Sequence, residues 1–161
     1  MHRTPVSGIT LRAALSDDAR CVWEWRYEPE SRAASSDTGA VSFADHKRWF
    51  TARLTDPQTR IYIILDPDQV AVGYVRFALE GDNAVISIAL DPSARGHGIG
   101  TAAIVIGCDR VLAESSVTRV TALIKADNGR STLAFIKAGF GFVPLGDTEG
   151  ATDHHLEYPP L

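Results

Sequence analysis

The sequence predicts an α/β fold with one mixed, mostly antiparallel sheet of about six or seven strands and helices on both faces. Three observations carry this. Short β-rich runs alternate with helical runs along all 161 residues. Between residues 60 and 90 three such runs are joined only by turns, which reads as an antiparallel meander. After residue 90 the order changes to helix, strand, helix, and a helical crossover between two strands of one sheet implies parallel pairing. The length suits a single domain spanning residues 1–161, and neither an internal repeat nor an interior linker divides it.

Ile9 to Ala13 is a short strand. Ser16 is placed to cap a helix whose first turn holds Asp17 and Asp18, where carboxylates favour the helix dipole. That helix runs to about Tyr27 and stops before Pro29, and Gly39 breaks the loop beyond. Ser42 with Asp45 three residues on reads as a variant capping box. Phe43, His46, Phe50 and Leu54 follow at three- and four-residue spacing and mark one helix face. Arg60 to Leu65 is a strand, Asp66-Pro67-Asp68-Gln69 a turn, and Val70 to Leu79 a second strand. Gly81-Asp82-Asn83 turns the chain into Ala84 to Leu90, almost wholly apolar and so expected to be buried on both faces. Ile99 to Glu114 is a helix apolar nearly all round, and Arg119 to Ile124 a strand. Asn128 to Ala138 is a helix ended by Gly139. Phe140 to Val143 and His154 to Tyr158 close the sheet as strands.

The net charge of -4 argues against a nucleic-acid partner, which would require a basic stripe. No apolar run approaches the roughly 18 residues of a membrane span, and Met1 to Gly8 lacks the apolar core of a signal peptide. A cytoplasmic protein without a membrane partner is expected. Cys21 and Cys108 have no CxxC partner and no accompanying ligand cluster, so no metal is expected; both sit in helical stretches and read as small hydrophobes.

The chemistry concentrates in Leu90-Asp91-Pro92-Ser93-Ala94-Arg95-Gly96-His97-Gly98-Ile99-Gly100-Thr101, which joins an apolar strand to an apolar helix. Three alternating glycines leave backbone N–H groups uncovered, and with the helix dipole these donors make an anion site. Arg95 adds a guanidinium fork suited to phosphate oxygens. A P-loop would need Lys-Ser/Thr after the last glycine, but Thr101-Ala102 follows Gly100. A dinucleotide fingerprint would need G-x-G-x-x-G, and this run is G-x-G-x-G. A plain glycine-rich turn is the competing reading of the segment taken alone.

The string Arg95, Gly98, Gly100 as R-x-x-G-x-G resembles the pyrophosphate-binding signature of the GNAT superfamily of N-acetyltransferases. Asn128, Ser131, Phe135 and Gly139-Phe140 resemble that family's second signature, and the order of elements matches over nearly the whole chain. The resemblance implies an enzyme that transfers an acetyl group from acetyl-CoA to an amine. It implies a bulge in the strand before the glycine loop, splaying it from the next parallel strand to open a V-shaped cleft. Backbone N–H groups from Arg95 through Gly96, His97, Gly98, Ile99 and Gly100, with Thr101 beside them, would hold the pyrophosphate. Ile88, Ala89 and Leu90 would pair with the pantetheine arm, and Asn128, Ser131 and Phe135 would line the thioester end. A homodimer is compatible with the resemblance, and no residue decides it.

Transfer needs a neutral amine, and deprotonating an alkyl ammonium with a pKa near 10 costs about 4 kcal/mol at pH 7. A backbone N–H of Ile88 to Leu90 would face the developing oxyanion. Many relatives protonate the leaving thiolate with a Tyr where this chain has Phe135, which cannot donate; water held by Ser131 or Asn128 is the substitute. His46 is the candidate base because imidazole titrates near neutrality, and packing beside Trp49 and Phe50 is the preferred alternative. Trp25-Arg26-Tyr27-Glu28-Pro29-Glu30-Ser31-Arg32 resembles a W-R-N-x-P-x-x-R string of GNAT enzymes that acetylate nucleotide-linked amino sugars, with Tyr27 departing from Asn; the segment containing His46, Trp49 and Phe50 resembles their H-x-x-W-F. Enzymes acting on ribosomal-protein N-termini share part of the first string. Arg26, Arg32 and Arg76 could then neutralise a diphosphate while Trp25 and Trp49 stack on a base or sugar. Peptide N-termini, other small amines, and a sensor that binds acetyl-CoA without turnover are the alternative readings.

Overall fold

The computed structural model describes residues 8–28, 41–144 and 153–159. The positions named above at Pro29, Arg32 and Gly39 lie outside the described residues. Within them the chain runs through β1 (Thr10–Ala13), α1 (Ala19–Tyr27), α2 (Phe43–Leu54), β2 (Thr59–Leu65), β3 (Ala71–Glu80), β4 (Asn83–Leu90), α3 (Ile99–Glu114), β5 (Arg119–Lys125), α4 (Gly129–Lys137), β6 (Gly141–Phe142) and β7 (Asp153–Tyr158). The described strands form one seven-stranded sheet in the order β1-β2-β3-β4-β5-β7-β6. Only β4 and β5 pair in parallel, as the crossover through α3 demands.

The two faces of the sheet bury separate apolar clusters. On one side Val22 and Trp25 of α1 and Phe50 of α2 pack on Ile61, Ile63 and Tyr74. On the other, α3 and α4 cover Val75, Phe77, Ile86, Val120 and Leu156. The β4 side chains therefore do alternate. Ala84, Ile86, Ile88 and Leu90 face α3 and α4, while Ala89 joins the opposite cluster. The alternation is hidden in the sequence because Val85 and Ala89 are apolar too. The expectation of a strand buried on both faces does not hold: only Ala84 and Ile86 of β4 are buried, and its last four residues are half-buried.

That partial exposure has a topological cause. The β4–β5 ladder ends at Val85 opposite Thr121, after three residue pairs. Beyond it the strands diverge, although β3 and β4 remain paired as far as Gly73 opposite Leu90. The bulge that the resemblance implied in β4 is not present: its ladder with β3 runs in unbroken register.

Two local expectations are corrected. Ser16 does not cap α1; it opens a single 3₁₀ turn, Ser16–Asp18, and the Asp18 carboxylate accepts the Leu15 N–H at 2.7 Å. Asp18 is free to do so because the Arg12 fork fixes it from β1, at 2.7 and 2.8 Å. Cys21 is exposed, unlike buried Cys108, because it points away from the stripe formed by Val22 and Trp25. Partial desolvation of the sulfur first, then the Glu24 and Asp18 charges, raise its thiol pKa although the residue as a whole is exposed, so it is not an activated cysteine. Ser42 caps α2 as expected, its Oγ accepting from the Asp45 N–H at 3.2 Å.

Candidate active site

The divergence of β4 from β5 opens a cleft of about 470 Å³ that joins the two faces of the sheet. Its floor is Ile86 to Leu90, whose edge has no strand partner on the β5 side among the described residues. One wall comes from the α3 and α4 face: Gly100, Ile104, Asn128, Ser131 and Phe135. The other comes from the opposite face: Arg26, Tyr27, Tyr74 and Arg76. Leu123 and Ile124 of β5 complete it.

The glycine loop is shaped by its backbone. Gly96 and Gly98 have φ of 81° and 77°, in the left-handed region that costs glycine least. Gly98 is the N-cap of α3, and no side chain caps that helix. The amides of the first turn, Ile99 to Thr101, therefore lack intrahelical partners and carry the positive end of the dipole, with Gly100 on the cleft lining. Gly96, His97 and Gly98 are exposed around them.

Arg95 does not offer a free cation. Its guanidinium donates to Glu28 Oε1 at 2.6 Å and to the Leu90 carbonyl at 3.0 Å. With side chains 14% and 20% exposed, Arg95 and Glu28 form a half-sheltered pair that ties the loop to the end of α1. Trp25 makes a second tie. It is 6% exposed, buried against the sheet, and its Nε1–H donates to Asp91 Oδ2 at 3.2 Å. The Asp91 carboxylate also accepts from Ser93 N–H and Oγ, and these bonds, led by the Ser93 hydroxyl, hold it below the usual carboxylate range. The structure thus gives Trp25 a role in supporting the loop and places it outside the cleft lining, because its indole is spent inside the α1 cluster.

His46 takes the packed position preferred for it from the sequence, beside Trp49 and Phe50. It is 1% exposed, stacked on Phe50 and tilted against Trp49, and neither ring nitrogen has a hydrogen-bond partner among the described residues. Burial first, then the Arg26 charge, push its pKa below the ordinary imidazole value, outweighing the Ala19 backbone. A neutral imidazole enclosed in the core cannot reach an acceptor amine. Trp49 is half-buried behind the cleft wall, with the Arg26 and Arg76 guanidiniums 4.4 and 5.3 Å from its ring centroid. It backs the wall and does not line it.

Asn128 is the N-cap of α4, its Oδ1 accepting from the Ser131 N–H at 3.2 Å. Both lie on the cleft beside Phe135, which packs edge-on against Phe140. Of the expected cofactor contacts, the structure brings Ile88, Ala89, Leu90, Arg95, Gly100, Asn128, Ser131 and Phe135 to the cleft. Tyr74, Glu28 and Asp91 were not singled out from sequence. Tyr74 reads there as one more strand aromatic, yet it stands opposite Ala89 on the cleft wall, and burial raises its hydroxyl pKa so that it stays protonated.

Residues 9–141 match the family model described as an acetyltransferase (GNAT) domain. No curated protein matches the chain in sequence. Among solved structures, the chain is similar to spermidine N-acetyltransferase from Vibrio cholerae in complex with CoA and spermine, with a TM-score of 0.81, 15% identity, and coverage of 94% of this chain and 95% of that one. A putative phosphinothricin N-acetyltransferase gives a TM-score of 0.72 at 22% identity, over 92% of this chain and 96% of that one. Aminoglycoside acetyltransferase AAC(6')-Ib in complex with coenzyme A gives 0.74 at 18% identity, over 92% and 93%. At these identities the likeness is one of fold.

Proposed function

Because the chain belongs to the GNAT acetyltransferase family, we propose that it binds acetyl-CoA in the gap between β4 and β5 and transfers the acetyl group to a primary amine. The carrying observation is the cleft itself: an unpaired β4 edge leads from uncapped helix amides on one face of the sheet to a polar wall on the other. The fit to the cofactor is chemical as well as spatial. A diphosphate needs convergent N–H donors, which Ile99 to Thr101 supply. A pantetheine arm carries amides, which the unpaired edge of Ile86 to Leu90 can match as an added strand would. When bound, acetyl-CoA supplies an activated acyl group.

The chain's own residues then have three tasks. A backbone N–H of the β4 edge faces the oxygen on which negative charge develops. The amine loses its proton to water in the cleft mouth, since His46 is sealed in the core. The departing thiolate takes a proton from water held at Ser131, because Phe135 has none to give. Ser131→Ala lowers kcat by about tenfold or more on this reading. An unchanged kcat removes Ser131 and passes the role to the Tyr74 hydroxyl, which Tyr74→Phe then tests.

The finer reading of the acceptor is the amino group of a nucleotide-linked sugar. Its supports are the sequence strings around Trp25 and His46 and the presence of Arg26 and Arg76 on the cleft wall. A small-molecule amine is the second reading, favoured by the substrates in the names of the similar structures. Release of free CoA thiol, followed with amino-sugar nucleotides, peptides and polyamines side by side, tests both. Release with one class is expected. Tight acetyl-CoA binding with no release from any amine would make the protein a sensor.

A further inference from the structure

Two guanidiniums on the acceptor wall have no carboxylate partner among the described residues. Arg26, in the last turn of α1, and Arg76, on β3, both line the cleft and both rest on the Trp49 ring. Among the described residues, the ion pairs engage other arginines: Arg12 with Asp18, Arg48 with Asp45, Arg53 with Asp56, Arg95 with Glu28 and Arg119 with Glu157. The polar contact of Arg76 is a long one, 3.4 Å to the Ser87 hydroxyl. Tyr27 and Tyr74 stand beside the two arginines, and the one carboxylate on the cleft among the described residues, Asp127, belongs to the α4 side with Arg130. Burial, opposed by Tyr74 and reinforced by Arg26, holds the Arg76 guanidinium below its ordinary pKa.

Two like charges held together and partly withdrawn from water are unfavourable unless an anion shares them. Trp49 gives the pair cation–π support but cannot neutralise it. The planar fork of each arginine matches the paired oxygens of a carboxylate or phosphate. We infer that the acceptor is an amine that also carries an anionic group, and that Arg26 and Arg76 grip that group so that the amine points through the gap between β4 and β5. This deepens the acetyltransfer reading and rests on it. It also sets the chain apart from a polyamine acetyltransferase, because a polycation would meet two unpaired cations on this wall.

The test uses the full chain with three probes: a UDP-linked amino sugar, glutamate and spermidine. Acetyl-CoA affinity is measured by calorimetry, binding of each probe is measured in the presence of CoA, and kcat and KM come from thiol release. The wild type is expected to bind and acetylate an anionic amine in preference to spermidine; which of the two anionic probes wins identifies phosphate or carboxylate as the anion. Arg76→Gln and Arg26→Gln each weaken binding of that probe and raise its KM by about tenfold or more, with acetyl-CoA affinity unchanged. Arg26, half-buried in the last turn of α1, provides a second variant that keeps the test open should Arg76→Gln fold poorly. Preference for spermidine, unaltered probe binding in both variants, or a fall in acetyl-CoA affinity would each overturn the inference, the last by assigning the arginines to the cofactor. Probe binding without thiol release would contradict the acetyltransfer reading while leaving the anion grip supported.

Discussion

His46 illustrates how one buried side chain carries two consequences. Its imidazole is enclosed by Phe50, Trp49 and Tyr27, and its pKa is lowered chiefly by burial. The folded state therefore resists a proton that the unfolded state accepts near 6.5. Stability from this site is fully present above that value and is lost as pH falls below it toward the lower folded pKa. His46→Phe keeps the aromatic stack and removes the two unpartnered nitrogens. The variant is expected to lose less melting temperature than the wild type between pH 7 and pH 5, with kcat/KM unchanged across that range. Equal losses in both proteins would show that His46 has a partner for its proton, and a fallen kcat/KM would restore it as a base.

At the scale of elements, α1 holds the glycine loop at two points: Trp25 to Asp91 at the loop's start and Glu28 to Arg95 at its middle. The helix thereby couples the wall that carries Arg26 to the glycine loop. Arg95 fixes the loop, since its fork is already engaged by Glu28 and the Leu90 carbonyl. Trp25→Phe removes one N–H donor and keeps the aromatic bulk. A hydrogen bond to an ionised carboxylate contributes about 1.5 kcal/mol or more, so acetyl-CoA affinity should fall about tenfold with kcat at saturation preserved. Affinity equal to the wild type would mean that the loop holds its shape without α1.

Across the whole molecule, function follows from a single incomplete seam in the sheet. The crossover through α3 makes β4 and β5 parallel neighbours, and their divergence after Val85 connects the two faces. Much of this was legible in the sequence. The apolar run from Ile99 to Glu114 placed the bounds of α3 where the structure has them, and Gly81-Asp82-Asn83 announced the β3–β4 hairpin. The phosphate-type loop was visible because its glycines and its place between strand and helix are local features. What escaped is non-local. The Trp25–Asp91 and Glu28–Arg95 contacts span 66 and 67 residues, and no pattern in either segment encodes the other. The role of Tyr74 was hidden for a related reason: an aromatic in a strand looks the same whether it faces a core or a cleft.

Gly100 offers the most direct probe of the central claim, that the first turn of α3 and the unpaired edge of β4 hold acetyl-CoA. A Cβ there would meet only Leu90 Cδ1, at 3.5 Å. A carboxylate in a first helical turn also suits the dipole, so Gly100→Asp should fold. That same carboxylate would occupy the diphosphate's place with the same sign of charge. Calorimetry is expected to show acetyl-CoA binding to the wild type and at least a hundredfold weaker binding, of the order of 3 kcal/mol, to Gly100→Asp at an unchanged melting temperature. A folded variant that binds acetyl-CoA as tightly as the wild type would contradict the account.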